Sequence, residues 1–359
     1  MNNNVSSQYD DVVARHDGQR LSARFSVVIP LYNGAATIGA TLESIRAQIH
    51  PPHEIIVVDD ASADEGKAIV SSYSDRVKLL QTDSNGGVQA ARNRGIAHAT
   101  GNWIALCDQD DLWAPDYLEH LTALLTAAPH LEFIFTNFRR TIGGVFESFT
   151  KFDQAPADYW QQAGRRELPE GWVFDRSIAG QTFTWWPIFP SAMVIARSLV
   201  EAVGGFDTAM RGLRPEDMEF TLRCLYRAAV GAIPEPLVTI RRHDTNYSRD
   251  QVLCLVDEVA ALQFVRANHA EARSFWPAID IEIRRRRISA AHGAFSRGDH
   301  QLFQRLLADI AVPDRTSKLR AKAAVASMPA PLDGWVNTAL QRLRETVNGI
   351  RRGNRTSWE

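Results

Sequence analysis

The sequence predicts an α/β fold: a mixed, mostly parallel sheet flanked by helices, followed by a C-terminal helical extension. Three observations predict it. Short apolar runs alternate with helical patterns along the first hundred residues. Two of these runs end in carboxylates, and right-handed crossovers bring such strand ends to one edge of a sheet. Beyond Asp244 the strand-like runs give way to helical patterns.

The first half of the chain contains four predicted strands, at residues 25–30, 54–60, 77–80 and 103–107. A helix is predicted after the first strand and ends at Pro51-Pro52, and another follows Asn85-Gly86-Gly87 and ends at Gly101. Alternation of strands and helices is typical of a parallel sheet covered on both faces.

A chain of 359 residues is long enough for one large domain and an appendage. Residues 1–23 are polar and lack periodicity, so a disordered segment is predicted there. The strand pattern places the sheet domain at residues 24–245. A helical region is predicted over residues 246–359.

The net charge of −2 hides an asymmetry. Residues 271–359 contain sixteen Lys or Arg and nine Asp or Glu, a net charge of +7, so the first 270 residues carry −9. The acidic part argues against nucleic acid as the main partner, whereas the basic tail favours an anionic surface such as a membrane. The last predicted helix, from Val336 to Ile350, has heptad-like spacing, so docking on the protein itself and a dimer seam also remain open.

The three cysteines are too few and too scattered for a disulfide framework or a zinc site. No apolar run reaches the length of a membrane span, and the N-terminus lacks the order of a secretory signal. We therefore expect a cytoplasmic protein, with a peripheral position at the inner face of the membrane as a further option.

The run Asp108-Gln109-Asp110-Asp111 follows directly on an apolar strand. Carboxylates this close repel one another, and a hard divalent cation with oxygen ligands relieves the repulsion. A solvated acidic turn is the alternative. Asp59-Asp60 end the second strand and would lie on the same edge, which favours a shared site.

Several segments together resemble the inverting family 2 glycosyltransferases, whose fold is named GT-A. They are SVVIPLYNG at 26–34, EIIVVDDASAD at 54–64, NGGVQAARNRGIAHATGNWIALCDQDDLW at 85–113, GGFD at 204–207 and RPEDMEF at 214–220. The resemblance covers roughly residues 24–250 and leaves out the helical tail. It implies a nucleotide-binding half at 24–112 and an acceptor half at 113–245.

The resemblance also implies which residues bind a nucleotide-sugar donor. They are Pro30, Tyr32, Asn33, Asp59, Asp60, Gly87, Arg92, Asn93 and Asp108. The first three would line the base and ribose. Asp60, with Asp59 as the alternative, would accept a hydrogen bond from the base, and the helix after Gly87 would present Arg92 and Asn93. Tight turns at the acids and glycines and a solvated arginine are the structural alternatives.

Asp108-Gln109-Asp110 matches the family's DxD motif. By resemblance Asp110 ligates Mg²⁺ or Mn²⁺ bridging the donor diphosphate, and Asp108 contacts the ribose or the metal shell. His243 would approach the metal or the diphosphate, although a structural histidine is equally compatible. Asp111 is expected to cap the following helix.

Glu216-Asp217 corresponds to the family's ED pair. Inverting transfer is a single displacement that needs a base for the acceptor hydroxyl. Asp217 is assigned as that base, with Glu216 orienting it or the acceptor. An acidic pair also suits a helix N-terminus, and the two interpretations are compatible.

By resemblance, Trp185, Trp186 and Ser191 lie where relatives build the acceptor side. Aromatic faces suit sugar rings, so one of the two tryptophans is expected to contact the acceptor. Core packing is the alternative for the tryptophans. Residues 139–190 match no family segment, and Met218 stands where many relatives carry Trp, so the acceptor contacts there are open.

The sequence thus predicts a metal-dependent inverting glycosyltransferase that moves a sugar from a UDP- or dTDP-sugar to a glycan or lipid-linked glycan, as in surface polysaccharide synthesis. A degenerate binding or scaffold subunit is one alternative. A sugar-nucleotide pyrophosphorylase is another, although Leu31-Tyr32-Asn33-Gly34 lacks that class's basic glycine-rich loop. An aspartyl-nucleophile phosphatase would carry its DxD after the first strand.

Overall fold

A computed structural model of the chain describes residues 22–73, 75–213, 215–242 and 250–327. These residues form two compact units. The first contains the described residues from 22 to 242 together with Ala260–Ile279, and the second contains Asp250–Val259 and residues 280–327. Most of the predicted disordered segment and the predicted last helix lie outside the described residues.

The first unit is built on one mixed sheet, whose described strands number eleven and run in the order β3-β2-β1-β4-β10-β6-β11-β9-β8, with β5 on β11 and β7 on β6. The strands are β1 (Phe25–Leu31), β2 (Glu54–Asp59), β3 (Val77–Gln81), β4 (Trp103–Leu106), β5 (Leu112–Trp113), β6 (Phe133–Ile142), β7 (Val145–Phe146), β8 (Arg165–Leu168), β9 (Gly171–Phe174), β10 (Met193–Ala196) and β11 (Val230–Arg242).

Strands β1 to β4 are parallel, and so are β6 and β11. β10 lies antiparallel between β4 and β6. These six strands therefore end at the same edge of the sheet, as the sequence predicts for the acids after β2 and β4. The predicted mixed sheet is confirmed.

The helices cover the sheet and form the C-terminal region. They are α1 (Ile38–Arg46), α2 (Gly66–Ser71), α3 (Val88–Ala97), α4 (Tyr117–Ala127), α5 (Tyr159–Gln162), α6 (Ala179–Thr182), α7 (Arg197–Val203), α8 (Glu216–Leu225), α9 (Gln251–Asn268), α10 (Trp276–Ser296), α11 (His300–Ala308) and α12 (Ser317–Ala326).

Helix α3 lies unusually close to the sheet. Gly95 allows this approach, because a Cβ at that position would overlap Val28 Cγ1 and press on Val58 Cγ2. The helix buries Gln89, Ala91, Arg92 and Gly95 rather than a stripe of large apolar side chains. Close backbone approach therefore takes the place of hydrophobic interdigitation at this contact.

The second unit has its own small core, in which Phe303 and Leu319 are fully buried and Ala291 packs with them. Arg286 is paired there with Glu258 and Glu282. Among the described helices, none has both the length and the apolar character that crossing a bilayer requires.

Candidate active site

The acidic run at the end of β4 is fixed from several sides. The Gln109 side chain pairs with the backbone of Tyr32: its Oε1 accepts from Tyr32 N at 2.7 Å, and its Nε2 donates to Tyr32 O at 3.1 Å. Gly34 leaves the space for this amide, because a Cβ there would lie about 2.5 Å from Gln109 Oε1. The turn after β1 and the acidic run are thereby joined, while Asp108 and Asp110 remain partly exposed.

Asp111 lies beneath this run and is 1% exposed. Its Oδ2 accepts from Ser191 Oγ at 2.5 Å, and its Oδ1 accepts from the Arg241 backbone at 3.2 Å. Burial and the charges of Asp110 and Asp108 raise the pKa of Asp111 well above its usual range. The expectation that Asp111 caps the next helix is wrong, since α4 begins at Tyr117 and Asp116 occupies the N-cap.

Ser191 is fully buried, and its hydroxyl also accepts from the Asp108 backbone N–H at 2.9 Å. The residue ends the loop before β10, whose antiparallel direction brings it to the edge where β4 ends. Its position contradicts the expected acceptor contact, because a side chain without exposed surface cannot touch a sugar. Ser191 instead orients the acidic run.

Arg241 completes the support of the run. Its Nε donates to the Asp110 carbonyl, and its Nη2 donates to Thr37 O at 3.2 Å and to Thr41 Oγ1 at 3.1 Å. The guanidinium therefore connects the end of β11 with the acidic run and with α1. Its positive charge beside three carboxylates offsets part of their repulsion.

Arg92 is 1% exposed and joins the two halves of the site. Its Nη2 donates to Asp108 Oδ1 at 2.7 Å, and its Nη1 donates to Glu216 Oε1 at 3.0 Å. These carboxylates raise the pKa of Arg92 despite its burial, so the guanidinium stays charged. Residues 92, 108 and 216 thus form one ion-paired cluster at the carboxyl edge.

Asp217 follows Glu216 in the first turn of α8 and is half-buried. Burial, together with the negative charge of Glu216, raises the pKa of Asp217 to about 8, although Arg92 opposes the shift. Burial also raises the pKa of Glu216. Such a carboxylate can take up a proton near neutral pH, as a general base must.

Asp59 ends β2 and Asp60 follows it directly, and both are buried. Asp60 accepts hydrogen bonds from Thr82 Oγ1 at 2.9 Å and from the Gly86 and Gly87 backbones at 3.0 and 2.8 Å. Asp59 Oδ1 accepts from Ser62 N at 3.2 Å. In this structure both acids hold turns, and contact of either acid with the nucleobase of the donor stays a prediction.

The turn after β1 exposes Tyr32 and Asn33 to solvent, whereas Pro30, within β1, is buried. Tyr32 is 48% exposed. Asn33 has a φ of 49° and accepts from Ala63 N at 2.9 Å. An exposed ring beside a fixed turn can stack on a nucleobase. The expected contacts of Pro30, Tyr32 and Asn33 with the base and ribose stay predictions.

Asn93 holds a neighbouring turn, and its expected contact with the nucleotide stays a prediction. Its Nδ2 donates to Phe206 O and its Oδ1 accepts from Phe206 N, both at 2.8 Å. The Phe206 ring in turn lies 5.3 Å from the Arg92 guanidinium carbon. Asn93 therefore fixes the turn that packs beside Arg92. Gly87, with a φ of 90°, precedes the first turn of α3 and takes a conformation that glycine favours.

Trp185 and Trp186 are half-buried. The Trp185 ring packs edge-on against Tyr159 at 4.8 Å and Trp160 at 5.7 Å, and Lys151 Nζ lies 4.6 Å from its centre. Trp185 belongs to an aromatic cluster inside residues 139–190. Its acceptor role stays a prediction.

The comparison with known families now decides the identity of the domain. Residues 26–182 match the model of glycosyl transferase family 2, and this range contains β1 from Ser26 onward, β2 to β9 and the acidic run but not β10, β11 or the pair Glu216-Asp217. Residues 26–182 belong to glycosyl transferase family 2. The protein is accordingly a glycosyltransferase.

Two curated relatives and one solved structure illustrate the similarity. The putative glycosyltransferase EpsE of Bacillus subtilis is 28% identical over 239 residues, which are 65% of this chain and 78% of EpsE. An Escherichia coli protein, UDP-Glc:alpha-D-GlcNAc-diphosphoundecaprenol beta-1,3-glucosyltransferase WfgD, is 33% identical over 114 residues, 32% of this chain and 45% of WfgD.

The mannosyltransferase PcManGT of Pyrobaculum calidifontis, solved with GDP-Man and Mn²⁺, superposes with a TM-score of 0.54. The alignment covers 94% of this chain and 93% of that protein at 18% identity. This likeness confirms the GT-A fold of the glycosyltransferase.

The glycosyltransferase offers a donor set that fits a divalent cation. Asp108 and Asp110 present carboxylate oxygens at a partly exposed edge, although no cluster of three or more His, Cys, Asp or Glu suited to a metal occurs among the described residues. Mg²⁺ is commonly held by one or two carboxylates together with substrate phosphates and water. His243 lies outside the described residues.

Gln109, Arg241 and the structural role of Asp111 were not found by sequence reasoning. Gln109 occupies the variable position of the DxD motif, and Arg241 lies 131 residues beyond Asp110. A hydroxyl, an amide or a guanidinium that acts on backbone atoms leaves no local pattern. Only the strand pairing, which places β10 beside β4 and β11 beside β5, could have indicated them.

Proposed function

We propose that the protein is a metal-dependent inverting glycosyltransferase of surface polysaccharide synthesis. It transfers a sugar from a UDP- or dTDP-sugar to a glycan or lipid-linked glycan. The observation that carries the proposal is the ion-paired cluster in which Arg92 contacts both Asp108 and Glu216. Asp108, on the donor side, and Glu216, of the ED pair, are thereby bound to the same guanidinium group.

In the proposed reaction Asp217 takes the proton of the acceptor hydroxyl. The hydroxyl oxygen bonds to the anomeric carbon as the bond from that carbon to the diphosphate oxygen breaks, so a nucleoside diphosphate leaves. The raised pKa of Asp217 suits a base that works near neutral pH. Glu216, held by Arg92, keeps the first turn of α8 oriented toward the acceptor.

Asp110, with Asp108, would hold Mg²⁺ or Mn²⁺ against the donor diphosphate. When bound, the ion would neutralise charge on the leaving group. Support comes from the hard oxygen donors at this edge and from the Mn²⁺ named with the structural neighbour PcManGT.

The donor and acceptor classes rest on the relatives. WfgD is named for UDP-Glc and a diphosphoundecaprenol-linked acceptor, which supports a uridine donor and a lipid-linked glycan here. A cytoplasmic location at the inner face of the membrane is compatible with such an acceptor. The nucleotide-binding half at 24–112, the acceptor half at 113–245 and the helical region at 246–359 remain the proposed division, and membrane binding or dimerisation through the tail remains part of the proposal.

A donor screen tests the proposal. Nucleotide sugars are incubated with the protein and Mn²⁺ or Mg²⁺, and release of the nucleoside diphosphate is followed by mass spectrometry. Asp110→Ala should lower turnover at least a hundredfold, since it removes a ligand of the cation that would neutralise charge on the leaving group. Asp217→Asn should lower transfer a hundredfold or more while donor binding is kept.

Asp175→Asn is the matched control, because that carboxylate is 68% exposed and away from the cluster. If the wild-type protein neither binds nor turns over any nucleotide sugar, the proposed activity is wrong. Binding without turnover would favour the scaffold alternative. Full transfer by Asp217→Asn would remove Asp217 as the base.

A further inference from the structure

The hairpin of β6 and β7 exposes an unusual set of large apolar side chains. Ile142, Val145, Phe146 and Phe149 are 58, 71, 56 and 44% exposed, and they are called the apolar tip below. Four such side chains lie within eight residues, whereas single exposed apolar residues are normal. Groups of exposed apolar side chains mark interaction surfaces.

The β6–β7 hairpin extends away from the rest of the sheet unit. Ile142 pairs with Val145, and Gly143-Gly144 turn between them with φ angles of 58° and 83°. Two positive φ angles in a two-residue turn follow the twist of the strands. A Cβ added at either glycine would meet nothing within 4 Å, so the turn stands clear of the rest of the protein.

The apolar tip extends from the same sheet edge as the active site. Val194 of β10 lies opposite both Ala105 of β4 and Ile134 of β6, so these two residues stand at one level. Asp108 is then level with Asn137. Ile142 lies five residues farther along β6, which is roughly 16 Å at the rise of an extended strand.

Four cations lie next to the tip. Arg139 and Arg140 precede Ile142 on β6, Arg242 of β11 pairs with Ile142, and Lys151 follows two residues after Phe149. These four are called the basic collar, and Glu147 is the acidic residue between positions 139 and 151. Burial and the charge of Arg242 lower the pKa of Arg140, and the pairing of β6 with β11 places these two residues two positions apart along neighbouring strands. Apolar side chains beyond a group of cations complement a membrane interface that carries anionic headgroups.

We propose that the apolar tip inserts into the interface of an anionic membrane while the basic collar binds its headgroups. The inference rests on the proposed function for its purpose, because a lipid-linked acceptor is reached at a membrane surface and the tip points the active-site edge toward it. A second copy of the chain is a poorer occupant, since a symmetric contact would bring two basic collars together.

The test is cosedimentation of the full-length protein with vesicles of phosphatidylglycerol and phosphatidylcholine, and with phosphatidylcholine alone. The wild-type protein should bind the anionic vesicles and lose binding at high salt. Val145→Ser combined with Phe146→Ser should weaken binding at least tenfold, because two apolar side chains no longer enter the interface. Phe146→Leu, which keeps the apolar surface, should retain it.

Ile49→Ser and Val312→Ser are matched controls, since these side chains are 58 and 65% exposed elsewhere on the protein. Arg139→Gln should weaken binding about fivefold and reduce its salt dependence. The proposal is overturned if the double variant binds like wild type, or if wild type does not bind anionic vesicles. It is also overturned if light scattering shows that the tip instead drives self-association.

Release of nucleoside diphosphate from a soluble donor is measured on the same variants. It should be unchanged in the tip variants, which lie outside the ion-paired cluster. Vesicle binding without any donor turnover would refute the proposed function and leave the membrane surface in place. Donor turnover without vesicle binding would refute the membrane surface and leave the proposed function in place.

Discussion

Asp217 is a residue whose ionisation depends on its neighbours. Since the base acts only when deprotonated, and burial with Glu216 raises its pKa to about 8, kcat/KM should rise with pH up to about 8. An ordinary aspartate would give a plateau from about pH 5. Initial rates between pH 5.5 and 9.5 at fixed metal concentration measure this dependence.

Glu216→Gln provides the control for that profile. It removes the negative charge that raises the pKa of Asp217, so the rise in kcat/KM should move to lower pH. A wild-type rate that is already constant at pH 6, or a profile that Glu216→Gln leaves in place, would contradict the assignment of Asp217 as the titrating base.

The sequence identified the residue types at the site better than their partners. The acids at 59–60, 108–111 and 216–217 all lie at the expected sheet edge. Asp111 shows the limit: the same carboxylate at a strand end can face a ligand or be buried against Ser191 and Arg241. That choice depends on strands distant in sequence, so local pattern does not contain it.

At the scale of elements, two loops are joined by one amide. Gln109→Ala removes both hydrogen bonds to Tyr32, each worth about 1 kcal/mol in a typical protein. The turn that carries Tyr32 and Asn33 should then lose its fixed position. We expect the donor KM to rise about tenfold with a smaller change in kcat.

Steady-state kinetics with varied donor concentration measure this effect, and Gln161→Ala, at an exposed position, is the matched control. Gln109→Glu should also be impaired, because a carboxylate cannot donate to the Tyr32 carbonyl and adds charge to an acidic run. An unchanged donor KM in Gln109→Ala would show that donor binding does not depend on the position of the turn after β1.

The elements themselves were largely predictable. The strands predicted at 25–30, 54–60, 77–80 and 103–107 are confirmed within one or two residues, because buried parallel strands read as continuous apolar runs. The exposed hairpin tip was not predicted. Its apolar residues, such as Val145 and Phe146, resemble core residues when read from sequence alone.

On the scale of the whole molecule, the sheet unit includes Ala260–Ile279. His269 Nε2 lies 2.9 Å from Glu219 Oε1, and the Phe275 ring packs near Phe183 at 5.8 Å. A variant that ends at residue 245 loses these contacts and exposes the buried Glu219. Its midpoint of thermal unfolding should be at least about 5 °C below that of a variant ending at residue 279.

Differential scanning calorimetry measures the two midpoints. His269→Ala in the full-length chain is the companion variant, since it removes one contact without truncation and should lower the midpoint by less. Equal midpoints for the two truncations would show that Ala260–Ile279 does not stabilise the sheet unit. Sequence patterns placed the change from strands to helices, but helical periodicity does not reveal which unit a helix packs on.

The close approach of α3 to the sheet has a consequence for local opening. This helix buries few large apolar side chains, and its hold on the sheet depends on the contact at Gly95 and on the ion pairs of Arg92. Segments with little apolar burial open at a smaller free-energy cost than the whole fold. Any opening of α3 would withdraw Arg92 from Asp108 and Glu216 together, so hydrogen exchange at the amides of this helix reports directly whether the two halves of the site are joined.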